Sequence, residues 1–304
     1  MLIIITIIIL TASYFAYRMA FQAPARTDFT KYVLPVGEQY TPHYRVIKQS
    51  ADNMITVPYE KVYITSFDKT KLFARYYHVK DNAPLHIMFH GYKSNPYIDC
   101  CGGSRIAMDL GHNALVIDQR AHGKSEGKAI TFGIKERKDC LSWIKYSCKR
   151  FGTDTPIFLW GVSMGAATIL MATDLKLPAN VVGIIADCPF SSPKEIIMKV
   201  AGQMKFPPKL IYPFVRLGAF IYGHFNLEES SAVEAMKSNH IPVLLFHGDD
   251  DRFVPCKMSH SIHAACPSHI TFKKIPKAGH GLCYMIAAEK YREAVISFIN
   301  KILT

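Results

Sequence analysis

Residues 156–170 read PIFLWGVSMGAATIL. An apolar run of strand length, Pro156 to Trp160, meets a Gly-x-Ser-x-Gly turn, and a run of small and apolar residues of helical character follows. The turn must be so sharp that bulky side chains cannot flank it, which explains Gly161 and Gly165, and it lifts Ser163 clear of the sheet. The pattern alone is common in chains of this size. Between such a strand and such a helix, with Ala166 and Ala167 beyond, it marks a strand–turn–helix carrying a nucleophile.

Working outward, short apolar runs alternate with amphipathic stretches of helix length from residue 60 onward. Strands are expected at 61–65, 71–78, 85–90, 113–118, 156–161, 181–187, 241–247 and 269–275, with helices near 97–110, 134–150, 164–175, 256–264 and 283–302. In the 134–150 stretch, Ile134, Leu141, Ile144 and Cys148 are expected to line the buried face, with Lys135, Lys138, Lys145 and Lys149 outward. Runs such as ALVID (114–118) and VVGIIAD (181–187) are apolar almost throughout, as in a parallel sheet covered on both faces. The expected fold is therefore α/β. One stretch breaks the alternation. Residues 188–236 hold no strand pattern, are rich in Pro, Phe, Tyr and Met, and are longer than a crossover needs, which predicts a helical lid insertion.

A serine hydroxyl needs a base to take its proton, and the base needs an acid to orient it. The strand IPVLLF (241–246) leads into His247-Gly248-Asp249-Asp250-Asp251-Arg252-Phe253-Val254-Pro255, so three aspartates at the carboxyl edge of the sheet compete for the acid. Asp249 and Asp250 also suit a helix cap or a solvated surface. Farther on, Ala278-Gly279-His280-Gly281 directly follows the strand ITFKKI (270–275). Of thirteen histidines, His280 is set apart by its glycine-flanked, post-strand position. Chain order Ser…Asp…His suits this kind of sheet. His90 opens His90-Gly91-Tyr92-Lys93-Ser94 after the strand LHIMF (85–89); a glycine there lets backbone N–H groups turn inward, and the amides of Tyr92 and Met164 are the expected oxyanion hole. His122, in Arg120-Ala121-His122-Gly123, is expected to shape a loop. Phe190, Met198, Tyr212 and Phe214 of the lid stretch are the candidate substrate pocket.

Taken together, the segments HGYKSN, DQRAHGKSEG, GVSMG, HGDDDRFVP and AGHG resemble those of the α/β-hydrolase superfamily over about residues 60–302. The resemblance is nearest to a membrane-anchored bacterial subgroup of serine hydrolases described by likeness to serine aminopeptidases and prolyl-peptidase domains. It implies a mostly parallel eight-stranded sheet with helices on both faces. Its H-G-x-x-D-x-x-V-P pattern singles out Asp251 as the acid, and it makes the Asp118–Arg120 loop structural. Ala121 departs from the pattern, since many relatives carry glycine after the arginine.

With 304 residues, 49% apolar and 20% charged, the chain can bury a large core, which excludes disorder, collagen-like repeats and disulfide miniproteins. Thirty-six Lys and Arg against 24 Asp and Glu give a charge of +12, a balance suited to anionic surroundings. No basic run exceeds two residues and no aromatics interleave with them, so nucleic acid is not an expected partner. The eight cysteines form no Cys-x-x-Cys; buried, reduced thiols are expected. No ligand spacing points to a metal and no Gly-x-Gly-x-x-Gly follows a strand, so no cofactor is expected.

Residues 1–17, MLIIITIIILTASYFAY, carry no charge before Arg18. As a helix they span roughly 26 Å, near the lower limit for crossing a bilayer. A cleaved signal would want a basic start and a better site than Thr11-Ala12-Ser13. The expected organisation is a membrane anchor over 1–21, a linker and overlay segment over 22–59 holding Pro24, Pro35, Pro42 and Pro58, and a hydrolase domain over 60–303 with its lid at 188–236. Arg18, Arg26 and Lys31 follow the apolar stretch, which puts the domain on the cytoplasmic side. The expected activity is carboxylester hydrolysis on an apolar acyl substrate through an acyl-enzyme. Alternatives are a serine peptidase on short peptides, then a thioesterase or acyltransferase, and last a tethered binding module.

Overall fold

The computed structural model describes residues 1–23 and 32–304; Pro24, Arg26 and Lys31 lie outside the described residues. In chain order the elements are α1 (Leu2–Phe21), α2 (Tyr44–Thr56), β1 (Glu60–Thr65), β2 (Lys71–Tyr77), β3 (Leu85–Phe89), α3 (Pro96–Asp99), α4 (Cys101–Asp109), β4 (Asn113–Asp118), α5 (Glu136–Phe151), β5 (Ile157–Val162) and α6 (Met164–Met171). They continue with β6 (Val181–Asp187), α7 (Pro193–Gln203), α8 (Pro208–Gly223), α9 (Ala232–Met236), β7 (Val243–Gly248), α10 (Lys257–Ala265), β8 (Ile270–Ile275), α11 (Cys283–Ile286) and α12 (Ala288–Leu303). All eight expected strands form, within two residues of their expected ends.

The strands make one sheet in the order β1-β2-β4-β3-β5-β6-β7-β8. β2 runs antiparallel to both β1 and β4, and every other pair is parallel. Strands β3 to β7 are buried at every position or nearly so, because helices cover both faces. One core holds α5, α6 and the 188–236 helices; the other holds α2, α4 and α12. The parallel strands end at a common edge, and the loops leaving β3, β5, β7 and β8 carry His90, Ser163, Asp251 and His280.

Several elements differ from expectation. The 97–110 helix is two, broken at Cys100, and the 283–302 helix is broken at Ala287. On α5 the buried face holds Cys140, Trp143, Ile144 and Ser147, whereas Leu141 and Cys148 are half-exposed. The face is rotated because Asp139 and Arg137 turn inward to buried ion pairs. Asp139 accepts two 2.6 Å bonds from Arg120, and Arg137 reaches Asp174 and Glu229. Helix α2, in the stretch expected as linker and overlay, buries Ile47, Ala51 and Met54 at helical spacing. All eight cysteines are free, six of them buried.

Helix α1 is the one helix among the described residues long and apolar enough to cross a membrane. Residues 1–9 are exposed, while Ser13, Ala16 and Phe21 are buried. Its second half lies along α8, and the small Gly218 permits the approach: a Cβ there would stand 2.3 Å from the Ser13 carbonyl oxygen. The chain then enters the domain, with Ile130 N–H donating to Phe21 O at 2.8 Å and Ala23 N–H to Lys128 O at 3.1 Å. The fully buried Phe21 ring meets Phe132 and Phe225 edge-on. Phe21→Ala should therefore cost about 3–5 kcal/mol in urea unfolding, whereas deleting residues 1–9 should leave the midpoint unchanged.

Candidate active site

Ser163 sits at φ 54° and ψ −118°, between the end of β5 and the start of α6. A non-glycine residue in this region costs on the order of 1–3 kcal/mol and persists only where its surroundings enforce it. The enforcement is visible. A Cβ on Gly161 would lie 2.4 Å from the Gly165 carbonyl carbon, and one on Gly165 would lie 2.1 Å from Phe89 O. The helix start is thus pressed onto β3, and Ser163 N–H donates to Asp187 O at 2.8 Å.

The Ser163 hydroxyl lies 2.8 Å from His280 Nε2, and His280 Nδ1 lies 2.7 Å from Asp251 Oδ2. Asp251 can only accept, so Nδ1 carries the ring proton and Nε2 is free to accept from the serine. Asp251 Oδ1 accepts N–H bonds from Phe253 (3.0 Å) and Val254 (2.8 Å). The fully buried His247 holds the other side: its Nε2 is 3.3 Å from Asp251 Oδ2 and 2.8 Å from Val254 O, and its Nδ1 is 2.6 Å from Ser259 Oγ. Of the other aspartates, Asp249 accepts from Lys277 N–H and the exposed Asp250 pairs with Arg252. Burial pushes the Asp251 carboxyl up, but the His280 charge and the bonds from His247 and His280 hold it well below the usual range. Burial also depresses His280, yet the Asp251 charge and hydrogen bond, helped by Asp99 and Asp187, raise it above its ordinary value.

His90 Nδ1 donates to Gly91 O (2.8 Å) and its Nε2 accepts Gln119 N–H (3.1 Å). His122 likewise accepts Lys93 N–H at 3.0 Å and donates to Arg120 O. Burial depresses both rings, so they are neutral loop pins. Gly91 lies over the serine, where a Cβ would be 3.3 Å from Ser163 Cβ. Among the described residues, neither Tyr92 N–H nor Met164 N–H has a protein acceptor. Tyr92 lines the cavity, and Met164 is buried at the first position of α6. The Asp118–Arg120 loop is a structural knot: Asp118 pairs with the buried Arg75 at 2.6 Å, and Ala121 takes the left-handed φ of 64° that glycine favours.

A cavity of about 520 Å³ opens over Ser163 and His280. None of Phe190, Met198, Tyr212 or Phe214 lines it. Phe190 packs on Phe132, Tyr212 bonds Glu228, Met198 packs against the core, and Phe214 faces α1. The walls instead come from Val33 to Val36, Gln39, Tyr40 and Ile47 of the overlay segment, and from residues 90–99. The pocket expectation failed because the aromatic 188–236 helices spend their side chains on the core and on α1. Sequence reasoning also missed Gln39, whose Oε1 accepts His280 N–H at 3.0 Å. It missed Asp99, whose Oδ2 accepts Gly91 N–H at 2.6 Å and whose carboxyl burial pushes upward. Gln39 carries no motif, and Asp99 is hidden beside Cys100 and Cys101. Among the described residues, the one close His/Cys/acid cluster is Cys188, Asp251 and His280, two of which are hydrogen-bonded in line with Ser163.

A family model described as alpha/beta hydrolase fold matches residues 85–220. The uncharacterized protein YqkD of Bacillus subtilis is 25% identical over 84% of this chain and 86% of its own length. Lysophosphatidylserine lipase ABHD12 of Danio rerio is 25% identical over 52% of this chain and 41% of its own length, so the chain spans less than half of that relative. The Pyrococcus furiosus esterase Pf2001 superposes with a TM-score of 0.67 at 21% identity, covering 90% of this chain and 99% of that one. The fold is that of the α/β hydrolases.

The base must be neutral to take the serine proton, so a raised His280 puts the acid limb of a kcat/KM–pH profile above the ordinary imidazole value of about 6.5. Asp251→Asn removes the charge that raises it. That variant should move the limb downward and cut kcat/KM by on the order of 10⁴.

Proposed function

We propose that this α/β-hydrolase-fold chain is a membrane-associated serine carboxylesterase acting on apolar acyl esters. The observation that carries the reading is the Asp251–His280–Ser163 relay, with hydrogen bonds of 2.7 and 2.8 Å. Ser163 Oγ attacks the acyl carbon while His280 Nε2 takes its proton. The Tyr92 and Met164 amides, which have no protein acceptor among the described residues, receive the oxyanion. Collapse breaks the acyl–oxygen bond, and His280 returns the proton to the departing alcohol. Water, deprotonated by His280, then attacks the acyl-serine and releases the acid.

Val33, Leu34, Val36, Ile47 and Ile98 give the cavity apolar walls suited to an acyl chain. Similarity to the esterase Pf2001 and to a lysophosphatidylserine lipase supports an ester as substrate. Helix α1 ties the enzyme to a membrane, and the cations that follow it, Arg18, Arg26 and Lys31, favour the anionic cytoplasmic leaflet. One observation favours a second reading, a peptidase acting on a free amino terminus. Asp99 lines the same cavity and has no Lys, Arg or His partner among the described residues. A carboxylate beside the nucleophile suits a cationic amine.

Full-length protein in detergent, assayed on p-nitrophenyl esters of increasing chain length, should turn over. Ser163→Ala and His280→Ala should each lose on the order of 10⁴–10⁶ in kcat. Turnover of aminoacyl p-nitroanilides exceeding that of every ester would replace the esterase by the peptidase. In that case Asp99→Asn should raise KM for the anilides by roughly tenfold, well beyond any change in KM for an acetate ester.

A further inference from the structure

Helix α8 faces outward with the wrong chemistry for water. Leu210, Pro213 and Phe220 recur on one side at helical spacing, and Leu210 and Phe220 are 63% and 68% exposed. The turn that precedes it, Met204-Lys205-Phe206-Pro207-Pro208-Lys209, exposes Met204 and Phe206 as well. Lys205 and Lys209, in this apolar turn, have no acidic partner among the described residues. Beside it, α1 exposes Phe15 and Met19, and these two residues share an apolar groove of about 640 Å³ with Phe206, Ile211 and Phe214. A surface helix, a turn and an adjoining helix thus form one greasy face dotted with cations, of which Lys205 and Lys209 have no acidic partner among the described residues.

The length of α1 decides how this face meets a bilayer. Its residues 10–21 are committed to the protein: Tyr222 hydroxyl donates to Leu10 O at 3.1 Å, Gly218 abuts Ser13, and Phe21 is in the core. Nine exposed residues remain, roughly 13 Å of helix against a hydrocarbon core of about 30 Å. Using all twenty residues to span would drag α8 into the core with Lys209, Arg216 and Glu228, at several kcal/mol for each ion. A spanning α1 with the domain outside would instead leave Phe206, Leu210 and Phe220 in water.

We propose that α1 and the outer face of the α7–α8 hairpin form a single lipid-facing surface that lies along one leaflet of an anionic membrane, with Lys205, Lys209 and Arg18 at the headgroups. The protein is then monotopic, held by two elements, rather than tethered by one crossing helix. This does not depend on the activity of the serine relay, and its test does not read activity.

Single tryptophans report the face. Trp143 and Trp160 are buried, so Leu210→Trp and Phe220→Trp in the full chain add signals accessible to lipid-borne quenchers. The probe is vesicles of phosphatidylcholine with about one third phosphatidylglycerol, carrying nitroxides near the headgroups. Quenching of both added tryptophans is expected. A second measurement uses Leu210→Asp with Phe220→Asp, which should reduce the vesicle-bound fraction roughly tenfold with an unchanged melting temperature. Absence of quenching at either position, equal binding by the double variant, or failure of the full chain to float with vesicles would each overturn the proposal. A loss of melting temperature in the double variant leaves the decision to the two tryptophan variants.

Discussion

The site depends on a backbone contact too close for any side chain. Gly165 presses against the carbonyl of Phe89, and Gly161 against the carbonyl carbon of Gly165. These two approaches lock α6 onto β3 and β5 and leave Ser163 no conformation but the left-handed one. The strain at one residue is sustained because the helix that follows it is buried along its whole length, so relaxing the turn would mean undocking α6 from the sheet. A sheet with helices on both faces is therefore more than a platform here. It is the clamp that aims the hydroxyl.

Around that hydroxyl the electrostatics are unusual in one respect: the imidazole of His280 lies among several buried acids. Asp251 bonds it directly, while Asp99 and Asp187 act through space in the same direction. Asp251 stays ionised because its oxygens are filled by backbone amides and by His247 as well as by His280. Asp99 accepts one backbone amide, from Gly91, and burial pushes both Asp99 and Asp187 upward. The acids are thus sorted by hydrogen bonding rather than by distance alone: Asp251 is held well below the usual carboxylate range, and Asp99 and Asp187 are raised above their ordinary value.

The sheet and the meeting of Ser163, His280 and Asp251 at its edge are legible in sequence because each rests on a local pattern. Parallel strands are apolar runs, the nucleophile turn needs glycines at fixed offsets, and the acid and base directly follow strands. What was not legible depends on contacts across the chain. Helix α2 carries Ile47, Ala51 and Met54 at helical spacing, but four prolines in the surrounding stretch suggest a linker. The sequence points to the aromatic insertion for the cavity walls, since nothing local says that Phe190 and Tyr212 pack inward or that Val33 to Gln39 lie over the serine. Leu141 and Cys148 lie off the buried face of α5 because ion pairs from Arg137 and Asp139 override its hydrophobic period.

The amino-terminal helix joins these two levels. Its last turn is not a neutral tether, because the hydroxyl of Tyr92 donates to Ala20 O at 3.0 Å and the Tyr92 ring stacks on Phe132, which Phe21 meets edge-on. Tyr92 is the residue whose amide is proposed to receive the oxyanion. The loop over the serine is therefore braced from outside the sheet by the apolar amino-terminal helix. A packed contact of this kind transmits position, since a core cannot absorb a displacement of Phe21 without moving Phe132 and the ring stacked on it. Trimming the helix to its root would remove that brace along with the exposed apolar half. Residues 1–9 and residues 10–21 are thus two parts with separate physical roles within one apolar segment.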